Sequence, residues 1–158
     1  MQPSGVGRPV LVGLLLAVAI YAGGFAFDQH LRTRRGPWEV TFTTEPSGAP
    51  AIIVNQPKLS IAKLKIVFDG ESATNAPATV AFDVPQKLVP FGTVKFEDLT
   101  YLPGTVTCDF FGHEIELLPR TLYINRKPHP WISNGVITLS LEDKPAALPP
   151  PKAKAWKR

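Results

Sequence analysis

Cysteine is almost missing: Cys108 is the only one in 158 residues. That rules out an internal disulfide framework and any multi-cysteine metal site. Charged residues make up only 19% of the chain, and its three histidines, His30, His113 and His129, are scattered. The sequence contains no G-x-S-x-G, Walker loop, G-x-G-x-x-G or H-E-x-x-H, so nothing in it calls for a nucleotide, a zinc ion or another cofactor. No internal repeat is present. The 17 prolines, about twice the usual share of ~5%, exclude long helices from the body of the chain.

What remains is a hydrophobic fraction of 44%, enough for a folded core. The length suits one ordinary domain. The net charge of +4 is unevenly spread. Residues 37–143 hold eight Lys and Arg against twelve Asp and Glu, while residues 144–158 hold five cations and no acid. A nucleic-acid-binding domain carries its positive charge on the folded face, and here the folded body is acidic, so nucleic acid is not an expected partner.

From Pro9 to Phe27 run nineteen residues without a charge. As a helix they reach about 28 Å, close to the hydrocarbon thickness of a bilayer. Ala17-Val18-Ala19 is similar to a signal-peptidase site, but the apolar run continues eight residues beyond it. The expectation is therefore an uncleaved single-pass transmembrane anchor in the cell membrane, in contact with lipid along residues 9–27. Residues 1–8 form a short N-terminal tail, and residues 28–36, with Arg32, Arg34 and Arg35, a basic juxtamembrane linker. By the positive-inside rule those three arginines outweigh Arg8 and favour a cytoplasmic C-terminus. The layout of one N-terminal span followed by a whole Thr- and Pro-rich β domain favours the opposite side. The extracytoplasmic placement is the one expected. Within the span, Gly13 with Ala17 and Ala19 with Gly23 form small-xxx-small pairs that let a partner helix approach closely.

The body, residues 37–143, is cut by prolines into short segments of period two. Trp38, Val40 and Phe42 share one face, and Val80, Phe82 and Val84 another. The parity of Leu59 and Ile61 switches at Leu64, Ile66 and Phe68, which predicts a bulge near Ala62. Val106, Cys108 and Phe110, a turn at Phe111-Gly112, and His113, Ile115 and Leu117 predict a hairpin. Thr121 to Asn125 and Val136 to Leu141 complete the set, the latter with Ile137, Leu139 and Leu141 inward. Seven to nine such strands predict a mainly-β domain, an antiparallel β-sandwich or small barrel. Residues 144–158 predict a disordered Pro/Lys-rich tail.

Three patterns carry candidate chemistry. Ser60-Ile61-Ala62-Lys63 fits S-x-x-K, the serine–lysine acyl-transfer pattern, which needs the lysine one helical turn after the serine. The stretch reads as a strand, so a hydrolase is the remote alternative. His113, Glu114 and Glu116 are metal-ligand types, but strand alternation sends His113 to the face opposite the glutamates, and a solvated polar face is the simpler reading. Cys108 shares the core parity of Val106 and Phe110, where cysteine acts as a small hydrophobe. Asn125 to Trp131 reads as a rigid loop joining Arg126, His129 and Trp131. Arg126, Trp131 and Trp156 are the expected partner-contact residues, of the types enriched at interfaces, with Trp131 as a core plug the competing reading.

Together these features predict a non-enzymatic accessory, assembly or scaffold subunit that sets a β domain against a protein partner at the membrane. The alternative is an envelope glycan or small-ligand binding module that uses Trp131 or Tyr123 as a stacking platform.

Overall fold

The structure, a computed structural model, describes residues 7–33, 35–74, 77–85 and 87–146. Helix α1 spans Gly7–Thr33. Its segment Gly7–Leu31 is long and apolar enough to cross a membrane and is exposed apart from the half-buried Asp28. The helix does not stop at Phe27, where the apolar run ends. It takes in residues 28–33 of the basic linker, and Thr33 closes it by donating its hydroxyl to the Gln29 carbonyl at 3.0 Å. Helical backbone satisfies its own N–H and C=O groups, so it leaves the apolar run without cost.

Ten strands follow among the described residues: β1 Trp38–Thr44, β2 Pro50–Gln56, β3 Ile61–Phe68, β4 Ala78–Phe82, β5 Thr93–Asp98, β6 Thr105–Phe110, β7 His113–Leu117, β8 Leu122–Ile124, β9 Lys127–His129 and β10 Val136–Leu139. They form two five-stranded sheets, ordered β10-β3-β2-β1-β4 and β5-β6-β7-β8-β9. The alternating faces meet in one core, where Phe42 and Phe68 of the first sheet set their ring edges against Phe110 of the second, at 5.5 and 6.2 Å. Edge-to-face contact suits the ring quadrupoles and fills the space between sheets. The domain is a β-sandwich.

Local chemistry explains the turns. Phe111-Gly112 and Asn125-Arg126 both lie at positive φ in consecutive pairs, the geometry that matches the twist of a two-residue hairpin. The expected bulge is present. Gln56 pairs with Ile61 and Val54 with Leu64, so residues 62 and 63 together face Asn55, and Lys63 takes a left-handed conformation, φ 52°. Gly92, φ +67°, lies so close to the Asp109 carbonyl that an added Cβ would collide with it.

Several expectations change. Leu59 belongs to a 3-10 turn, Pro57–Leu59, because Pro57 starts it and the Gln56 side chain caps it. Val84 lies beyond β4 and is exposed. The final strand ends at Leu139, since Ser140 and Asp143 form a capping box that turns the chain into a 3-10 helix and leaves Leu141 outside. The sheets are not purely antiparallel, because β10 pairs with β3 in parallel. Residues 125–131 are no rigid loop but a hairpin turn, the edge strand β9 and a short exit. Pro128 is tolerated in β9 because an edge strand can spare one N–H. Lys144, assigned above to the tail, packs on the domain through an ion pair with Glu71 at 2.6 Å. Residues 147–158, Trp156 included, lie outside the described residues.

Cys108 sits at the centre of β6, 1% exposed. Burial pushes its thiol up to about 12, so at neutral pH it is neither charged nor accessible. The folded full-length protein should resist alkylation by iodoacetamide at pH 8. Labelling should begin only across the urea unfolding transition, as mass spectrometry would show.

Candidate functional site

Chain direction gives the sandwich two distinct ends. β1 starts where the helix arrives, so residues 36–38, 56–61, 98–105, 117–121 and 130–135 lie at the helix-proximal end. The turns at residues 45–49, 69–70, 111–112, 125–126 and 141–144 lie at the distal end.

The proximal end is built on a buried amide. Gln56 is 2% exposed, and its Nε2 donates to the Pro37 carbonyl at 2.6 Å and the Gly36 carbonyl at 3.2 Å. Its Oε1 accepts from the Lys58 N–H at 3.3 Å. Every polar atom of the side chain thus binds backbone. Next to it Trp38, fully buried, donates its indole N–H to the Gly104 carbonyl at 2.7 Å. Gly104 allows this because its backbone runs against the Asp98 carbonyl, leaving no room for a Cβ. Trp131 stacks on Trp38 with ring centroids 5.2 Å apart and planes inclined 25°. Its own indole N–H donates to the Leu118 carbonyl at 2.9 Å.

Outside this tryptophan pair lies a cleft of about 620 Å³ lined by Leu31, Arg35, Lys58, Tyr101, Leu102, Pro103 and Pro119. Two cations, a phenol and an apolar wall meet where the helix joins the sandwich. A neighbouring cleft of about 370 Å³, lined by Phe25, Asp28, Asp83 and Thr100 among others, takes the nearby acids. There Asp83 is paired with Lys87 at 3.0 Å.

The distal end holds a second buried polar group. His113 is 1% exposed, and its Nδ1 lies 3.0 Å from Asn125 Nδ2. The Asn125 amide cannot be turned round, because its Oδ1 accepts from the Glu114 N–H at 3.0 Å while its Nδ2 also donates to the Asp143 carbonyl at 2.6 Å. Nδ1 must therefore accept, which places the proton of the neutral ring on Nε2. Among the described residues Nε2 has no partner. Burial, helped by Lys144, lowers the His113 pKa, against the opposing pull of Asp143, Glu71 and Asp109.

The residues singled out in the sequence fall in separate places. Arg126 occupies the distal turn, 3.5 Å from Glu114, while Trp131 lies at the proximal end, so the structure does not bring them together. Trp131 is half-buried as a plug and commits one ring face to Trp38. Tyr123, half-buried, pairs with Glu116 and Pro128 in the second sheet, on a different surface from Trp131. Ser60 caps the 3-10 turn and Lys63 lies in the bulge, both left-handed, so no helical turn joins them. The Ser60 carbonyl instead accepts from the Ser133 hydroxyl at 2.6 Å. His113 points into the core, away from Glu114 and Glu116. Among the described residues no three His, Cys, Asp or Glu side chains converge on a metal-sized space. Gly13, Ala17, Ala19 and Gly23 are exposed on α1, and a Cβ added at Gly13 or Gly23 would meet none of the described residues.

No protein family, curated protein or solved structure matches the chain.

The His113 geometry makes stability depend on pH. Its folded pKa is depressed below the ordinary value of 6.5, so the unfolded chain binds the proton more readily. The contribution is complete above about pH 6.5 and is lost as the pH falls below it, at up to about 1.4 kcal/mol per unit. Urea midpoints at pH 7.5 and 5.5 should differ for the native chain, and His113→Gln should shrink the difference.

Proposed function

We propose that the chain is a single-pass membrane protein whose β domain serves, without catalysis, as an accessory or assembly subunit of a membrane or envelope complex. The observation that carries this reading is the junction between helix and domain. Helix α1 ends at Thr33, and the Gly36 and Pro37 carbonyls are already held by the buried Gln56. Two residues, 34 and 35, leave little slack, so the domain is held close to the end of its helix. That arrangement suits a subunit that presents a fixed surface, and it suits a long tether poorly.

The span supports the reading in a second way. Glycine weakens a helix by about 1 kcal/mol against alanine, and among the described residues none occupies the space over Gly13 or Gly23. A helix packed across the Gly13–Ala17 or Ala19–Gly23 pair would use that space. In this reading the helix is retained as an anchor, since the apolar run outlasts the Ala17-Val18-Ala19 site. The β domain lies outside the cytoplasm, following the layout of one N-terminal span before a folded domain.

Affinity purification of the full-length protein from mildly solubilised membranes tests the proposal. A partner should be retained in fixed stoichiometry, and Gly13→Leu with Gly23→Leu should reduce its recovery by about 5-fold or more, the effect of losing about 1 kcal/mol of helix packing. Recovery of the protein alone would defeat the subunit reading.

A further inference from the structure

We propose that the outer face of the first sheet binds a second copy of this chain, about a two-fold axis that runs along the strands. The choice of axis rests on the reading of α1 as a retained membrane anchor.

Chemistry separates the two outer faces of the sandwich. On the first sheet the side chains turned from the core include Thr41, Ile53, Val67, Thr79, Val136 and Thr138, all uncharged and none buried. Threonine and β-branched aliphatic residues thus extend across all five strands. Lys65, on the same face, is neutralised at 2.9 Å by Glu45 of its own chain. The second sheet differs. Asp109, Glu114 and Glu116 stand together on the outer side of β6 and β7, so a copy laid on that face would set acid against acid. Self-association favours the first face.

Symmetry then selects how two copies meet. Copies anchored in one membrane must point the same way. Pairing β10 with β10 of a second copy, edge to edge, needs a two-fold perpendicular to the sheet, which sends the two proximal ends and their helices in opposite directions. A two-fold along the strands, between faces about 10 Å apart, keeps both proximal ends on one side. With that axis over the central strand β2, each row of the face lies across the same row of its copy. Val136, Lys65, Ile53, Thr41 and Thr79 form one row. Across the axis Ile53 meets itself, Lys65 meets Thr41 and Val136 meets Thr79.

The next row holds the decisive contact. Glu39 pairs with Asn55 there, and the β3 bulge, residues 62 and 63, faces Asn55 from the other side. Glu39 of one copy therefore meets the bulge of the second. At that bulge Lys63 is exposed and has no ion pair among the described residues. Glu39 is exposed as well, bound to Asn55 Nδ2 at 3.5 Å. Two charges that do not meet within one copy become two complementary pairs between copies. Asn55 lies beside the axis, opposite its own copy, with an amide that both donates and accepts.

Area sets the strength. Five strands at about 4.8 Å spacing and about 20 Å tall cover about 480 Å² per copy, below the ~800 Å² per partner of a standard stable interface. The face alone makes a weak contact, and anchors that confine both copies to one membrane raise their effective concentration.

Cross-linking of the full-length protein in membranes, with a bismaleimide of about 10 Å span to match the sheet spacing, tests the surface. Cys108 is buried in β6, so the reagent reports on introduced cysteines. Ile53→Cys should give a covalent dimer, and Thr107→Cys, on the outer face of the second sheet, should not. Adding Glu39→Lys to Ile53→Cys should cut the dimer about 10-fold, and adding Lys63→Glu as well should restore it. No cross-link at Ile53→Cys, an equal one at Thr107→Cys, or a charge swap that shows no loss or no rescue overturns the surface. Cross-linking of Ile53→Cys to a different protein in place of a dimer overturns the second copy as occupant. Release of the protein by alkaline extraction with the Ile53→Cys dimer intact would overturn the anchor reading and leave the surface standing. A protein that resists extraction yet stays monomeric overturns the surface alone.

Discussion

One buried amide governs the arrangement of this molecule. Gln56 ends β2 at a position whose parity belongs to the core, and its side chain spends all its hydrogen-bonding capacity on backbone. A buried amide without partners costs about 1–3 kcal/mol, so the partners are not optional. They must be carbonyls held at the correct distance, and those carbonyls belong to Gly36 and Pro37, three and four residues past the end of the helix at Thr33. The same interaction that satisfies the core thus ties the domain to its helix. Trp38 extends it inward, and its stack with Trp131 closes the proximal end.

The two ends of the sandwich are built on different principles. The proximal end is closed by indole rings whose N–H groups each reach a main-chain carbonyl, an arrangement indifferent to pH. The distal end is closed by Asn125, which joins His113, the Glu114 backbone and the Asp143 carbonyl. Protonation of His113 would put a donor on Nδ1 against the Asn125 donor. The amide cannot turn to relieve this without setting its NH₂ against the Glu114 N–H. The buried group whose protonation opposes the fold, His113, therefore lies at the end away from the helix, next to the capped turn that carries Leu141 to Asp143.

Much of the fold was legible because strand alternation is a local signal. Val106 to Leu117, its Phe111-Gly112 turn and the burial of Cys108 follow from period two and turn chemistry alone, and the bulge at Ala62 follows from a switch in parity. The errors arose where a side chain made a distant decision. Leu59 was lost to a turn capped by Gln56, and Leu141 was turned outward by the Ser140–Asp143 box. The alternation of Ile52, Val54 and Gln56 did carry a signal, a polar residue at a core position, which asks where its partners are. The proximal cleft left no such trace. Arg35, Lys58, Tyr101 and Pro119 are far apart in sequence and meet only through the topology. The Asn125-to-Trp131 stretch misled for the opposite reason, since neighbours in sequence were separated by the length of β9.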